Sequence, residues 1–429
     1  MPPRWDWRVA EDQARTRPAL VGWLLCQLLR RPRLLRAAAA VLRRWPLLSR
    51  LTHVLARRDA VVAAFARSAS FSNTAHAPNM VAGEFVIGIQ DGPRHDRERR
   101  TLAALLISSP AFGEVSGELA QARVGEILAA PDQCFDLVTD YLAPLVWQCL
   151  QQCLGDAGGA IACDGAPPAR AAEVTEQLLR ELRHVGAHLL VGSTATPLVQ
   201  GRAEADAAAL NARVAAQLPA LRTAREEVFN VAEDTDRGVQ RSGVGMMWVA
   251  HPATVQAGAH ALIELLARPA LYDELRAAVA QAGANPWTCP TLRAALGPHV
   301  LELLRFRPPF PLLVRDVPRR ALLQVDDDPP VALKAGASLF LLVIGALFDP
   351  EAVPQAADYD VQRRWPHAED PLLVFGFGPR SCPAKRHVQA MLVSLMIGLL
   401  RLPRLSLDGS LRRCAVYDGP ALTGLALRY

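Results

Sequence analysis

The chain contains the stretch Phe375-Gly376-Phe377-Gly378-Pro379-Arg380-Ser381-Cys382-Pro383-Ala384, which decides the predicted fold and precedes an apolar segment. Its two glycines allow the backbone to bend and to approach a flat cofactor closely. Pro383 suits the first turn of a helix, so Cys382 is expected at a helix N-terminus. The positive dipole end and the unpaired N–H groups there stabilise a thiolate. The stretch therefore predicts a metal-binding thiolate, with Arg380 as a charge-assisted donor to a carboxylate.

This stretch resembles the heme-binding loop of the cytochrome P450 family, F-x-x-G-x-R-x-C. Its four defined positions are matched by Phe375, Gly378, Arg380 and Cys382. The family usually has a glycine two residues after the cysteine, where this chain has Ala384. The resemblance implies heme b as the cofactor, Cys382 as the metal ligand, and Phe375, Gly378 and Arg380 as cofactor-binding residues.

An E-x-x-R pair occurs upstream at Glu302 and Arg305, on a predicted helix from Leu292 to Arg307. Residues three apart share a helix face and can pair. In the family such a pair is buried and captures a second arginine, and Arg363 stands at that place. The resemblance implies that these three residues are structural and hold the cysteine loop.

Two further segments carry residues that the resemblance assigns to the heme propionates. His95 and Arg99 lie one helical turn apart and face the same way. They resemble the H-x-x-x-R of bacterial members, on the helix that crosses the heme. Arg315 follows the apolar turn after the Glu302 helix. We expect all three to bind the cofactor.

The predicted substrate pocket is apolar. Its members lie on the predicted distal helix and on the turn before Arg315: Val249, Ala250, Ala253, Phe310, Leu312 and Leu313. Leu422 and the segment from Met80 to Val86 are further candidates. An apolar lining suggests a small apolar substrate, such as a lipid, terpenoid, polyketide or aromatic molecule.

The distal helix, predicted from Val239 to Ala267, departs from the family pattern. The family carries an acid followed by a threonine, which relay protons, but Pro252 and Ala253 align with those positions. Proline also removes one helical hydrogen bond, that of the Trp248 carbonyl. His251 and Thr254 are the nearest polar groups and are the candidate catalytic residues. His251 either delivers protons near neutral pH or points away as a helix histidine, and both interpretations stay open.

Helical periodicity dominates until about Arg307, and strands are predicted later, at Ala321–Val325, Val331–Leu333 and Ser338–Val343. Gly155–Arg170 is rich in Gly, Ala and Pro and is predicted to be a surface loop. The prediction is a mostly α (α+β) protein with the cytochrome P450 fold, in one domain over residues 1–429. Residues 1–35 are the candidate for a peripheral N-terminal segment.

Composition excludes several functional classes. The chain has 429 residues, 51% of them hydrophobic, and a net charge of +5, which does not indicate nucleic acid binding. No C-x-x-C pair occurs among the eight cysteines, so a zinc ribbon is not expected. No apolar run is long enough for a membrane span, and we expect a cytoplasmic protein. Lysine occurs only at Lys334 and Lys385, which suggests a GC-rich bacterial gene.

Three functional hypotheses follow. The first is a monooxygenase that uses dioxygen to hydroxylate, epoxidise or couple a small apolar substrate in secondary metabolism. It requires a ferredoxin or flavodoxin with its reductase, which would dock on basic residues at Arg97, Arg100, Lys385 and Arg386. The second is a peroxide-dependent peroxygenase or isomerase without a redox partner. The third is a non-catalytic protein that binds a partner.

Overall fold

A computed structural model describes residues 17–107, 112–163, 167–191, 197–224, 236–325, 328–365 and 370–429. Two parts of the predictions lie outside these residues. They are the first 16 residues of the N-terminal segment and residues 164–166 of the predicted surface loop. Helices predominate in the described residues and the strands are short, which confirms the predicted mostly α class.

The helices before the distal region form the larger part of the molecule. They are α1 (Arg17–Leu29), α2 (Pro32–Arg44), α3 (Pro46–Thr52), α4 (Arg58–Ala66), α5 (Pro93–Ile107), α6 (Phe112–Ala129), α7 (Ala143–Leu154), α8 (Asp156–Cys163), α9 (Ala171–Val191), α10 (Pro197–Ala216) and α11 (Leu218–Ala224). A π turn over Leu137–Leu142 leads into α7.

The remaining helices surround the centre of the molecule. They are α12 (Asp236–Gly245), α13 (His251–Leu266), α14 (Pro269–Gln281), α15 (Pro290–Phe306), α16 (Val343–Leu347), α17 (Lys385–Arg401) and α18 (Leu411–Cys414). A second π turn, Met246–Ala250, joins α12 to α13, so the predicted distal helix is continuous but locally wide. Both α13 and α17 pack on α15 and on each other.

The strands form three small sheets. They are β1 (Val54–Leu55), β2 (Cys134–Asp136), β3 (Leu313–Asp316), β4 (Ala321–Val325), β5 (Asp328–Leu333), β6 (Ser338–Leu341), β7 (Ser406–Leu407), β8 (Ala415–Asp418) and β9 (Ala421–Arg428). In the first sheet β6 lies between β1 and β3, parallel to β1 and antiparallel to β3. In the second, β9 pairs with β2, β7 and β8, and β4 and β5 form a hairpin.

The prediction of a surface loop over Gly155–Arg170 is wrong in its first half, because α8 spans Asp156–Cys163. Close packing explains one of the two glycines of α8. A Cβ on Gly158 would lie 2.9 Å from the Gln151 carbonyl oxygen, so only glycine lets this helix approach the end of α7. Ile161 and Ala162 are buried there. Composition alone indicated a loop because it does not reveal a helix–helix contact.

One contiguous apolar core runs from Leu35 to Leu427 and joins helices and strands. Cys149 and Cys153 are buried on one face of α7, where they act as small apolar side chains. No helix among the described residues is both long enough and apolar enough to cross a bilayer.

Candidate active site

The cysteine loop turns back on itself before α17. Gly376 has φ +79° and Gly378 has φ +63°, which are left-handed conformations that favour glycine. The Cys382 N–H donates to the Phe375 carbonyl oxygen at 2.8 Å, and the Ser381 N–H donates to the Gly378 carbonyl oxygen at 3.0 Å. The predicted role of both glycines in bending the loop is therefore visible in the backbone.

Cys382 lies at the end of the loop and is of intermediate exposure. Its surface is only partly covered by protein, yet burial raises the pKa of its thiol. The Ala384 N–H, Arg99 and Lys385 act in the opposite direction and lower that pKa. The helix α17 begins at Lys385, three residues after the cysteine. A bound cation would complete the stabilisation of the thiolate that these groups begin.

A group of cations lies near this loop. Arg380 donates to the Val86 and Ile89 carbonyl oxygens at 3.2 and 2.7 Å, and it forms an ion pair with Asp91. His95 is buried, with its Nδ1 3.2 Å from Asp96 Oδ1 and 4.0 Å from Asp91 Oδ1. Arg99 Nη2 lies 3.5 Å from the Ser381 hydroxyl oxygen.

Arg315 is the strongest sign of an anionic ligand. Its residue is 3% exposed, and within the described residues its hydrogen bond goes to the Val314 carbonyl oxygen at 2.9 Å. Burial, with a contribution from Arg380, lowers the pKa of this guanidinium to about 9. A buried cation without its own carboxylate is costly. Arg380 also has a buried Nε without a hydrogen bond among the described residues.

These observations fit heme b. A flat macrocycle with a central iron and two carboxylates would use the Cys382 thiolate as its metal ligand. The carboxylates would compensate Arg315, Arg380 and Arg99, which Asp91 and Asp96 compensate incompletely, and His95, whose pKa is lowered by burial, would donate to them. Asp91 was not among the predicted site residues, although its position four residues before His95 could have indicated the pair.

A buried ion-pair network supports the region before the loop. Arg305 Nε and Nη2 each lie 2.8 Å from a Glu302 carboxylate oxygen. Arg363 Nη2 lies 3.5 Å from Glu302 Oε1. Both guanidiniums also donate to the Asp358 carbonyl oxygen, at 2.9 and 2.7 Å. The structure therefore brings together the three residues that were predicted to be structural.

Part of the distal helix is not covered by protein. Val249, Ala250 and Ala253 are half-buried, whereas most of their helical neighbours are fully buried. Thr254 is 4% exposed. Pro252 directly follows the first residue after the π turn. In a π-helix a carbonyl oxygen accepts from the N–H five residues later. The absence of an N–H at Pro252, four residues after Trp248, is therefore tolerated there.

His251 points toward α7. Its Nε2 lies 2.9 Å from the Ala143 carbonyl oxygen, and burial lowers the pKa of the imidazole to about 4. Of the two interpretations left open, this geometry matches the helix histidine. Pro252 packs against α9, where a Cβ on Gly186 would lie 2.4 Å from its Cγ.

The predicted apolar pocket residues on the other side are also half-buried: Phe310, Leu312 and Leu313. Leu422 is held by Gln256, which was not predicted. The Gln256 amide donates to the Leu422 carbonyl oxygen at 2.6 Å and accepts from its N–H at 3.0 Å. A glutamine on an apolar helix face can be noticed in the sequence. The sequence does not reveal its hydrogen-bond partner, which lies 166 residues away.

Comparisons with known proteins agree with this fold. The family model described as Cytochrome P450 matches residues 210–408. No curated relative matches the sequence. Among solved structures, CYP109Q5 from Chondromyces apiculatus has a TM-score of 0.67 at 16% identity, covering 93% of this chain and 97% of its own.

Two other similar structures are CYP109B1 from Bacillus subtilis and P450BioI. The first has a TM-score of 0.63 at 17% identity, with 88% of this chain and 93% of its own covered. P450BioI was solved in complex with hexadec-9Z-enoic acid ligated acyl carrier protein. It has a TM-score of 0.66 at 17% identity, with 88% of this chain and 91% of its own covered. At such identities these likenesses show the fold. The chain thus has the cytochrome P450 fold, and its residues 210–408 match the model of that family of oxidoreductases, whose cofactor is heme b.

Proposed function

We propose that this chain is a monooxygenase that inserts one oxygen atom of dioxygen into a small apolar substrate, in secondary metabolism. The product would be hydroxylated, epoxidised or oxidatively coupled. The observation that carries the proposal is Cys382, a deeply placed and partly uncovered thiol in a loop that also carries Arg380, a cation whose buried Nε has no hydrogen bond among the described residues.

Bound heme supplies iron chemistry that activates oxygen, and a thiolate ligand favours cleavage of the O–O bond. The chain's own residues do the rest. Cys382 would donate electron density as the ligand, and Arg315, Arg380, His95 and Arg99 would bind the carboxylates and orient the group. Asp91 already pairs with Arg380, and the cofactor carboxylates would complete the compensation of the buried guanidiniums.

Apolar side chains would hold the substrate and exclude water. Val249, Ala250 and Ala253 offer an uncovered apolar strip on the distal helix, and Phe310, Leu312 and Leu313 offer another on the turn before β3. Such surfaces favour a small apolar molecule. Gln256 would act as a positioning residue, because it fixes the backbone of Leu422 from both sides.

Proton delivery is the unusual part of the proposed reaction. Neither Pro252 nor Ala253 carries a proton, and the His251 Nε2 is committed to Ala143. We propose the Thr254 hydroxyl, with water, as the proton donor on this helix. Because His251 takes up a proton only near pH 4, it is a poor donor at neutral pH.

The lack of a proton-carrying side chain at residues 252 and 253 favours a second candidate function. A peroxide-dependent peroxygenase or isomerase would need no electron donor and less proton delivery. Turnover with hydrogen peroxide alone, and none with dioxygen, a reductant and a ferredoxin or flavodoxin, would identify this second function.

The thiolate test uses the full-length protein and the Cys382→Ser variant. We expect the variant to lose the absorption spectrum of thiolate-bound heme and at least about a hundredfold in turnover, since the electron-donating ligand is gone. Cys163→Ser, at a partly buried cysteine elsewhere, is the matched control and should change neither. An unchanged spectrum and unchanged turnover in Cys382→Ser would refute the proposal.

A further inference from the structure

Large apolar side chains that face solvent are concentrated near the N-terminus of the described chain. Seven of the nine in the described residues lie between residues 24 and 51: Leu24, Leu34, Val41, Trp45, Leu47, Leu48 and Leu51. Leu51 is 74% exposed, Leu47 67% and Trp45 59%. Single exposed apolar residues are ordinary, whereas a cluster indicates an interaction site. We call these seven residues the N-terminal apolar patch.

The patch cannot be buried by rotating α2, because the opposite face of that helix is docked on the core. Leu35 is 2% exposed and Ala39 is fully buried. A Cβ on Gly345 would lie 3.0 Å from the Ala39 Cβ, so the two helices are in close contact. Arg43 Nη1 donates to the Gly345 carbonyl oxygen at 2.8 Å. Leu34 and Val41, seven residues apart, are therefore held outward.

The exposed surface continues past the break between α2 and α3. Trp45 stands at this break as the C-cap of α2 and the N-cap of α3. The Ser49 hydroxyl of α3 donates to the Val54 carbonyl oxygen in β1, which fixes α3 to the first sheet. Leu47, Leu48 and Leu51 thus face solvent from a fixed helix.

The segment that carries the patch has charges of one sign, although Asp349 and Glu351 from outside it lie 3.9 and 3.6 Å from Arg43 and Arg57. Residues 13–58 contain eleven arginines and no Asp or Glu, although the whole chain has a net charge of only +5. Arg36 and Arg43 are used inward, on Phe348 and Gly345. Arg31, Arg33 and Arg44 are exposed beside the apolar side chains. The partner of this surface is therefore apolar and anionic at once.

We infer that the N-terminal apolar patch binds the surface of an anionic lipid bilayer. An interfacial helix of this kind carries arginines beside leucines and a tryptophan, and lies in the headgroup plane. A symmetric dimer through the patch would oppose arginines with arginines, since residues 13–58 offer no carboxylate. An acidic protein would need the arginines but not seven large apolar side chains. The inference does not depend on the proposed function.

The test is flotation of the full-length, heme-loaded protein with vesicles. We expect it to float with vesicles of phosphatidylcholine and phosphatidylglycerol, much less with phosphatidylcholine alone, and less at high salt. The Leu47→Ser/Leu51→Ser variant should bind at least about tenfold more weakly, because two leucines no longer enter the lipid. Its heme spectrum should be unchanged, which shows that it is folded.

Leu128→Ser is the matched control, since Leu128 is an exposed leucine on α6, outside the patch. It should float like the unchanged protein. Three results would overturn the inference: no flotation with anionic vesicles, equal binding by the double serine variant, or a concentration-dependent dimer that this variant dissolves.

Discussion

Two ion pairs with the same i, i+3 spacing differ completely in their surroundings. Glu302 and Arg305 are 5% and 1% exposed, and Glu302 also faces Arg363 at 3.5 Å. Arg170 and Glu173 lie 3.2 Å apart with side chains that are 64% and 71% exposed. Solvent screens the exposed pair, whereas the buried carboxylate compensates two guanidiniums that have no access to water.

Replacing Glu302 should therefore be severe. We expect Glu302→Gln to lower the free energy of unfolding by about 3–5 kcal/mol and to reduce heme content, because two buried guanidiniums are left uncompensated. Glu173→Gln removes the same charge from the exposed pair and should cost less than about 1 kcal/mol. Denaturant titration of both variants measures the difference, and equal losses would contradict this account.

The burial of His251 should make the stability of the protein depend on pH. Burial lowers its pKa to about 4 in the folded protein, whereas an unfolded chain takes up the proton at about pH 6.5. The unfolded state therefore binds more protons between these values, and stability falls as the pH falls from about 6.5 to about 4.

His251→Gln keeps an N–H donor for the Ala143 carbonyl but does not titrate. We expect it to remove about 3 kcal/mol of the stability change over that pH window, as measured by unfolding at several pH values. The pH profile of turnover should be unaltered, since the ring faces α7. A shifted turnover profile would instead support proton delivery by His251. His53→Asn, at a partly exposed turn, is the control.

At the scale of elements, the contact between α9 and the distal helix depends on one glycine. A Cβ on Gly186 would meet the Pro252 ring at 2.4 and 2.6 Å and the Trp248 carbonyl oxygen at 3.5 Å. A proline ring cannot rotate away, so this contact has little freedom to relax. The helix α9 therefore rests directly on the segment where the family places its proton relay.

Gly186→Ala should lower the free energy of unfolding by about 1–3 kcal/mol through overpacking. It should also weaken substrate binding, measured as a shift of the heme absorption band, because α9 is displaced from the distal helix. Gly201→Ala on α10 is the matched control. A Cβ there meets nothing within 4 Å, so we expect it to stabilise by about 0.5–1 kcal/mol. Stabilisation by both alanines would be inconsistent with the packing.

At the scale of the whole molecule, electron delivery should depend on the basic face beside the cysteine loop. Arg97 and Arg100 are exposed on α5, and Arg99 of the same helix reaches Ser381. Arg386 is exposed at the start of α17. An acidic ferredoxin or flavodoxin would be attracted to these charges from a distance.

Reversing two of these charges, Arg97→Glu with Arg386→Glu, should slow reduction by such a donor about tenfold and weaken its salt dependence. Peroxide-driven turnover should be unchanged, because it requires no docking. Arg180→Glu is the control. It reverses an exposed charge on α9, the helix that packs on the distal helix α13. Slower reduction in the control alone would place the docking site elsewhere.

The local sequence was sufficient to predict the fold, and it also led to the proposed metal ligand Cys382. The cysteine loop and the Glu302–Arg305 pair are short patterns whose function depends on neighbours within a few residues, so they could be recognised directly. The same holds for the glycines with positive φ at 376 and 378. Helix α8 was missed because Gly158 serves a contact with α7 that composition does not encode.

Only the tertiary structure decided which way the polar groups point. His251 could have faced either side of its helix, and packing against α7 directs it to Ala143. Gln256 forms its hydrogen bond with Leu422 on β9. Arg315 is buried by distant segments, and within the described residues its hydrogen bond goes to the Val314 carbonyl oxygen. Backbone conformation is set by neighbours in sequence, whereas the burial and pairing of charges depend on segments far apart along the chain.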